Sequence, residues 1–207
     1  MIAIVDYGMA NLRSVERALL RAGGDPCITS DPELIGNADS VVLPGVGAFC
    51  ACATNLKDSG LEEAVKFAMD SGKPFLGICV GMQMLFEEST EMGITPGLSR
   101  FDGRVIRFYE NSAAPPNIKI PHIGWNILQP ARQSRLLEGV PAGSQVYFVH
   151  SYYAVPSDSQ LVSAVSDHGE SFCCAVEREN ISATQFHPEK SGSVGLKILQ
   201  NFVNWRS

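Results

Sequence analysis

The stretch KPFLGICVGMQMLFEES, Lys73–Ser89, decides the fold, because it joins a short apolar run to residues with helical spacing through a glycine-rich bend. The run PFLGI has the length and composition of a buried strand, and the residues after Cys79 predict a helix that begins near Val80. In an open parallel sheet, ligands bind outside the carboxyl ends of the strands. The bend therefore places a thiol, Cys79, where a parallel sheet holds its ligands.

The rest of the first half repeats this strand and helix alternation. MIAIV is followed by NLRSVERALLRAG, in which Leu12, Val15, Leu19 and Ala22 recur at steps of three and four. Then come the strand PCIT, the turn-rich SDPELIGNAD, the buried-type strand SVVLP and a helix from about Leu61 to Ser71. The pattern predicts an α/β fold with a parallel sheet covered on both faces.

The second half, from about Arg104, contains closely spaced β-like segments before a final helix, GSVGLKILQNFVNW. We interpret the β-like segments as antiparallel additions to the sheet. They are GRVIRF, HIGWNIL, QVYFVHSYYAV, LVSAVS, SFCCAVE and ISATQF. NSAAPPNIKIP is a loop rather than a linker, so residues 1–207 are expected to form a single domain.

The composition excludes several classes of function. A net charge of −6 and the lack of clustered Lys and Arg argue against binding to nucleic acid or to an anionic membrane. No apolar run approaches the roughly 20 residues of a membrane span, and the chain reaches Asp6 too early for a signal peptide. A cytoplasmic location is the resulting expectation.

The cysteines and histidines do not predict a metal site. Six cysteines without a secretory signal are expected to be reduced thiols, and their spacings lack the C-x-x-C pattern of zinc sites. The four histidines are scattered, with no H-x-x-x-H pair. We expect neither a metal nor another cofactor.

Two motifs complement the thiol. Free cysteine is often simply buried, and an isolated His-Pro-Glu is often a surface turn. However, TQFHPEKS supplies a base, His187, and an orienting acceptor, Glu189, on the same side of an extended segment. LPGVGAF, Leu43–Phe49, ends a neighbouring strand and offers the backbone N–H groups of Gly45, Val46 and Gly47 to an oxyanion, with that of Val80 as a further donor. A phosphate loop or a plain turn fits LPGVGAF as well.

Together these stretches resemble the class I (triad-type) glutamine amidotransferases over essentially the whole chain. IVDYGMANLRSVERAL, PHIGWN and YFVHSYY are similar, more narrowly, to the glutaminase subunits of imidazole glycerol phosphate synthase, an enzyme of histidine biosynthesis. The resemblance implies the doubly wound, flavodoxin-like amidotransferase fold. It also implies that L-glutamine is hydrolysed to glutamate and ammonia through a thioester on Cys79, with His187 moving the protons and Glu189 holding its ring.

The resemblance further implies binding residues and a partner. Gln83, Glu91, Ser151 and Tyr152 fall where the family holds glutamine. Ammonia would pass to a separate (β/α)₈-barrel cyclase subunit, which makes imidazole glycerol phosphate and an aminoimidazole carboxamide ribonucleotide. Nothing in 207 residues resembles such a barrel, so the acceptor chemistry belongs to another polypeptide.

Four residues are candidate contacts with that cyclase, although Trp125 and Tyr147 could instead be core aromatics and Lys190 a solvated charge. The candidates are Asn11, Trp125, Tyr147 and Lys190. Because hydrolysis without an acceptor wastes glutamine, we expect slow turnover by the isolated subunit. Rotation of the Gly45–Val46–Gly47 backbone is the expected switch.

Three alternatives stay open on the motifs alone. A glutaminase could serve another synthase, such as one making pyridoxal phosphate or one in the tryptophan pathway. The bend and His187 would also allow a cysteine hydrolase acting on peptides or esters. A noncatalytic scaffold could retain the fold, since a fold does not fix a function.

Overall fold

The computed structural model describes residues Met1–Trp205 and contains fourteen strands and six α-helices within them. The strands are β1 (Ile2–Val5), β2 (Pro26–Thr29), β3 (Ser40–Gly45), β4 (Phe75–Cys79), β5 (Phe86–Ser89), β6 (Thr95–Pro96), β7 (Phe101–Arg107), β8 (His122–Ile127), β9 (Gln129–Pro130), β10 (Gln145–His150), β11 (Tyr152–Pro156), β12 (Val162–Asp167), β13 (Ser171–Arg178) and β14 (Ile181–Thr184). The helices are α1 (Leu12–Arg21), α2 (Pro32–Asn37), α3 (Phe49–Asp58), α4 (Glu62–Asp70), α5 (Val80–Gln83) and α6 (Gly192–Val203).

The main sheet has eight strands in the order β2-β1-β3-β4-β14-β13-β12-β9, and its first five strands are parallel. Every residue of β1, β3, β4 and β14 is buried, as expected for strands that are covered on both faces. The parallel part has the flavodoxin-like order, which confirms the predicted fold class.

The antiparallel additions are only partly as predicted. β13, β12 and β9 extend the main sheet as antiparallel strands. ISATQF instead forms β14, which is the fifth parallel strand beside β4. The remaining strands form two further sheets, one of β10 and β8 and one of β11, β7, β5 and β6. The segment QVYFVHSYYAV is divided between β10 and β11, which belong to different sheets. The prediction that all these segments join one sheet is therefore wrong.

The helices cover the main sheet with their apolar faces, and α1 is an example. Val15 and Leu19 are buried on its apolar face, as the spacing predicts, whereas Leu12 is only partly buried. Ala22, just after the last residue of α1, is buried as well, and α1 packs against α6. On another part of the fold, α2 packs against α4 and also contacts β1. Within residues 1–205, no helix is both long and apolar enough to cross a bilayer.

Two helices lie where the sequence analysis placed none. α2 occupies the segment interpreted as turn-rich, where Asp31 caps it by accepting a hydrogen bond from the Glu33 N–H at 2.9 Å and Pro32 occupies its first turn. α3 follows LPGVGAF directly and has no local side-chain cap. Its first N–H, that of Phe49, donates instead to Glu91 Oε2 at 2.7 Å.

The helix after Cys79 begins at Val80, as predicted, but it ends at Gln83 and the chain enters β5. The helical spacing does not continue because Met82, Met84, Leu85 and Phe86 are all buried. β5 instead forms a parallel ladder with β7, and this tertiary pairing overrides the local helical spacing.

Candidate active site

Cys79 lies at a sharp turn at the carboxyl end of β4. Its backbone has φ 56° and ψ −112°, an unfavourable conformation for a residue with a side chain. The turn can form because the backbone packs closely around it: a Cβ on Gly81 would overlap the carbonyl oxygen of Leu43, and one on Gly77 would lie 2.9 Å from the carbonyl oxygen of Gly81. Backbone strain and close packing are thus concentrated at the predicted nucleophile.

His187 and Glu189 face one another across Pro188. Nδ1–H of His187 donates to Glu189 Oε1 at 2.7 Å, and both side chains are buried. The backbone of His187 is fixed as well, because its N–H donates to the Tyr147 carbonyl at 3.0 Å and its carbonyl accepts from Ser191 Oγ at 2.6 Å. The ring is therefore held in one orientation, with Nε2 as its remaining nitrogen.

The environment of His187 favours the imidazolium. Burial lowers the pKa of His187, but the nearby Cys79 and Glu189 outweigh burial and raise this pKa to about 10. His187 Nε2 is buried and has no hydrogen-bond partner among residues 1–205. This nitrogen is therefore available to a proton donor or acceptor bound beside Cys79, since both residues line the same cavity.

The cavity has a volume of about 450 Å³ and brings together most of the predicted site residues. Those that line it are Asn11, Val46, Gly47, Cys79, Val80, Gln83, Glu91, Ser151, Tyr152, His187 and Lys190. Gly45 lies just behind it, paired with Cys79 in the register of β3 and β4. Trp125 and Tyr147 lie outside the cavity, with their ring centroids 6.1 Å apart. Trp125 is 53% exposed and is not a core residue.

The predicted glutamine-binding residues are held by contacts within the site. Gln83 Nε2 donates to the Tyr152 carbonyl and to Gln185 Oε1, each at 3.0 Å. Glu91 accepts from the first N–H of α3 and so connects the cavity to the segment that follows LPGVGAF. A carboxylate, an amide and main-chain groups therefore converge in one cavity beside a thiol.

The predicted oxyanion loop adopts a conformation in which one donor is occupied. The Val46 N–H donates to the Met9 carbonyl at 2.9 Å instead of pointing to an acceptor in the cavity. Tyr7 Oη donates to the Pro44 carbonyl at 2.7 Å, and Cys52 Sγ donates to the Val46 carbonyl at 3.4 Å. These contacts attach the loop to the segment after β1 and to α3.

Sequence reasoning missed Gln185 and His150. The Gln185 amide donates to Cys79 Sγ at 3.7 Å, and His150 lines the cavity next to Ser151. A signal for Gln185 was present, since it precedes His187 by two residues in an extended segment and so points to the same side. Across residues 1–205, no three His, Cys, Asp or Glu side chains are grouped so as to hold a metal ion.

Comparison with known proteins identifies the class. Residues 3–205 match the family model of glutamine amidotransferase class-I. A solved structure described as a glutamine amidotransferase superposes with a TM-score of 0.73 at 18% identity, covering 98% of this chain and 99% of the other. The chain belongs to the class I glutamine amidotransferases, and the fold described above is that of the class.

Two curated relatives narrow the assignment. The imidazole glycerol phosphate synthase subunit HisH of Syntrophotalea carbinolica is 49% identical over 98% of this chain and 98% of its own length. The HisH subunit of Geobacter metallireducens is also 49% identical, over 98% of this chain and 97% of its own length. Within its class, the chain belongs to the family of the HisH subunits of imidazole glycerol phosphate synthase, which confirms the predicted function at the level of the family.

Proposed function

We propose that this chain hydrolyses L-glutamine to glutamate and ammonia through a thioester on Cys79, with His187 and Glu189 completing a triad. The observation that carries the proposal is the placement of a thiol at a strained turn in the same cavity as a histidine whose other nitrogen is held by a buried carboxylate at 2.7 Å. That is the arrangement a nucleophile, its base and an orienting group require.

The proposed steps follow from these positions. Sγ of Cys79 attacks the glutamine carboxamide carbon, and the C–N bond breaks as His187 gives its proton to the leaving nitrogen, which departs as ammonia. Water then attacks the thioester while His187 takes its proton and returns it to the sulfur, and glutamate leaves. Glu189 stabilises the imidazolium in both halves of the reaction.

Substrate binding is assigned to the polar lining of the cavity. Both hydrogen bonds of the Gln83 side chain leave from Nε2, and within residues 1–205 no hydrogen bond reaches its Oε1, which remains for a ligand. Glu91 supplies a negative charge for the substrate's α-ammonium group, and Ser151 and Tyr152 contact its backbone atoms. Residues 1–207 act as one glutaminase domain and need no cofactor for these steps.

The oxyanion loop is the proposed control point. With its N–H donated to Met9, Val46 contributes nothing to an oxyanion in the cavity. Rotation of the Gly45–Val46–Gly47 backbone would release this N–H toward the tetrahedral intermediate, where one such donor is worth about 10²–10³ in kcat. Gly47, with φ +91°, tolerates such a change without side-chain strain.

The product ammonia passes, in this proposal, to a cyclase subunit with a (β/α)₈ barrel. That subunit forms imidazole glycerol phosphate and an aminoimidazole carboxamide ribonucleotide in histidine biosynthesis. The outer face of the two-stranded β8–β10 sheet supports such an association, because its apolar side chains are exposed beside the cavity mouth. They are Ile123, Trp125, Ile127 and Val149. We call this face the docking ribbon; Asn11 and Lys190 line the cavity near it.

The experiment measures glutamate release from glutamine by the chain alone and with the cyclase subunit plus its nucleotide ligand, for wild type and Cys79→Ala. We expect slow release alone, at least 100-fold faster release with the loaded partner, and none in the variant. Equal release with and without partner would contradict the loop switch. No release by a complex shown to form would contradict the glutaminase proposal.

A second experiment addresses the partner surface. Trp125→Ala should weaken cyclase binding by at least tenfold, because exposed aromatic residues at the centre of an interface carry much of its binding energy. Phe67→Ala, which removes an equally exposed aromatic from α4, should leave the affinity unchanged. Unchanged affinity in Trp125→Ala would contradict the role of the docking ribbon.

A further inference from the structure

The inner face of the docking ribbon carries a buried polar network. Side chains alternate along β8 and β10, so that Trp125 and Val149 point outward while His122 and His150 point inward. His122 and His150 are directly opposite one another in the strand register, and His122 Nδ1 lies 3.0 Å from His150 Nε2. Among residues 1–205, neither His122 Nδ1 nor His150 Nε2 has another hydrogen-bond partner.

The Tyr152 carbonyl fixes the direction of this network at the cavity end. His150 Nδ1 lies 2.9 Å from that oxygen, which can only accept, so Nδ1 of His150 carries the hydrogen. In a neutral ring the other nitrogen, Nε2, must then accept, and the donor is His122 Nδ1. By the same rule, His122 Nε2 must accept from outside the pair.

Asn126 supplies that donor and fixes the same direction from the other end. Its Oδ1 accepts from the Ile127 N–H at 2.8 Å, and its Nδ2 donates to the Asp167 carbonyl at 2.7 Å, so the orientation of the amide is determined. Nδ2 lies 3.1 Å from His122 Nε2. Both ends therefore require the same tautomers, with every donor directed from Asn126 toward the cavity.

The surroundings keep both rings neutral. Burial, together with the neighbouring His168, lowers the pKa of His122 to about 4. Burial also lowers the pKa of His150 to about 3, although its bond to the Tyr152 carbonyl opposes this. Phe148 stacks on His122 with a centroid distance of 4.9 Å, and Phe172 contacts His150 at 5.1 Å. Near neutral pH each ring is thus one donor and one acceptor.

The network continues into the glutamine site. The Tyr152 carbonyl that accepts from His150 also accepts from Gln83 Nε2 at 3.0 Å. Gln83 donates in turn to Gln185 Oε1, and the Gln185 amide donates to Cys79 Sγ. A continuous series of directed hydrogen bonds therefore joins the strand that carries Trp125 to the proposed glutamine contact and to the thiol.

We propose that Asn126, His122 and His150 are positioning residues for glutamine binding, because they fix the Tyr152 carbonyl and, through it, the orientation of Gln83. The inference rests on the proposed glutaminase function. It adds three residues beneath the docking ribbon that lie outside the proposed triad and the proposed glutamine contacts. It also explains why polar side chains are buried beneath an apolar ribbon, since each is satisfied only when the network is complete.

The test measures KM and kcat for L-glutamine with the cyclase complex, and L-glutamine binding by calorimetry to the chain in a Cys79→Ser background. His122→Phe keeps an aromatic ring but removes both hydrogen bonds, and we expect KM and the dissociation constant to rise about tenfold while kcat changes less than threefold. His122→Asn retains a donor near the Nδ1 position and should restore most of the affinity.

Asn126→Asp provides a variant outside the core. It keeps the shape of the side chain, but a carboxylate only accepts, so it cannot donate to His122 Nε2, and KM should again rise. His168→Phe is the matched control. His168 stacks on His122 at 4.1 Å and bonds to the Lys119 carbonyl, so it belongs to the same cluster but not to the network.

The outcomes separate the two proposals. Glutamine KM within twofold of wild type in both His122→Phe and Asn126→Asp overturns the positioning role while leaving the glutaminase function intact. Equal losses in His122→Phe and His168→Phe, without rescue by asparagine, also overturn it, because they indicate a packing effect. Failure of the wild-type complex to hydrolyse glutamine removes the function itself and the positioning role with it.

Discussion

At the scale of single residues, the site is organised by one buried ion pair and by the thiol beside it. His187 lies among apolar surroundings that by themselves oppose its charge, yet its pKa is raised to about 10 by Cys79 and Glu189. Both neighbours therefore favour the imidazolium. A positive charge beside the sulfur helps to activate a cysteine nucleophile.

Glu189→Gln tests this electrostatic account. The amide can still accept from His187 Nδ1–H, but it carries no charge, so burial should lower the pKa of His187 and the thiolate should lose its counterion. We expect alkylation of Cys79 by iodoacetamide at pH 7 to slow by at least tenfold.

The matched control for that measurement is Glu179→Gln. Glu179 is an exposed carboxylate paired with Arg100, so its loss should leave the alkylation rate unchanged. If Glu189→Gln reacted as fast as wild type at pH 7, the charge of Glu189 would have no part in activating the thiol.

Some of these residues were predictable from sequence and others were not. The bend at Cys79 and the His-Pro-Glu segment are local patterns, so their residues could be placed before the structure was known. The orientation of the Val46 N–H could not be predicted from the sequence, because it depends on the Met9 carbonyl in the loop after β1. The hydrogen-bonded pair of His122 and His150 joins residues from two strands and has no signature in either one.

At the scale of secondary-structure elements, the turn between β4 and α5 is the feature on which the site depends. Gly81→Ala would place a methyl group against the Leu43 carbonyl on the neighbouring strand β3. Neither backbone can move without disturbing the main sheet. We expect a loss of about 2–3 kcal/mol in the free energy of unfolding, measured by urea denaturation, together with loss of glutamate release.

Gly36→Ala serves as the comparison. Gly36 lies in α2, where a Cβ would meet only the Phe67 ring at 3.8 Å, an ordinary contact. Alanine favours helix more than glycine does, so this variant should be as stable as wild type or slightly more stable. Equal stability of the two variants would show that the turn tolerates a side chain at position 81.

The elements that sequence analysis missed have identifiable physical causes. α3 has no capping side chain of its own, and its first N–H is satisfied by Glu91, which lies 42 positions away. α2 did carry a start signal, Asp31 followed by Pro32 and Glu33, which the turn interpretation ignored. The helical spacing beyond Gln83 was misleading because burial on several sides resembles one apolar face in a short segment.

At the scale of the whole molecule, the histidine pair makes stability depend on pH. His122 and His150 have pKa values lowered to about 4 and about 3, whereas in the unfolded chain both titrate near 6.5. The unfolded state therefore binds more protons below pH 6.5. The stability contributed by the neutral rings is present above pH 6.5 and is lost as pH falls toward the folded-state values.

We expect the free energy of unfolding in urea to fall by about 4 kcal/mol between pH 6.5 and 4.5. His187 contributes little to the change in the free energy of unfolding between these pH values, since it is protonated in the folded state and largely protonated in the unfolded state. His122→Phe should show about half the pH dependence of wild type. A slope unchanged in that variant would assign the acid sensitivity to groups outside the pair.

The arrangement of the sheets lies beyond what local patterns predict. The alternation of strands and helices in the first half predicts a parallel sheet, but it does not predict that β14, from the second half, adds the fifth parallel strand. The division of the second half into separate sheets depends on pairings such as the parallel one between β5 and β7, with registers that are set by burial across the fold. Such pairings depend on contacts between segments that are far apart in the sequence.

The position of β14 bears on when activity can arise during protein synthesis. β14 is the last strand of the main sheet along the chain, yet it lies between β4 and β13, and it leads directly to His187 and Glu189. A nascent chain on the ribosome therefore exposes Cys79 long before its base has been translated. Until β14 inserts beside β4, the polypeptide holds the thiol without the histidine of the proposed triad, and on that proposal an unfinished molecule liberates no ammonia.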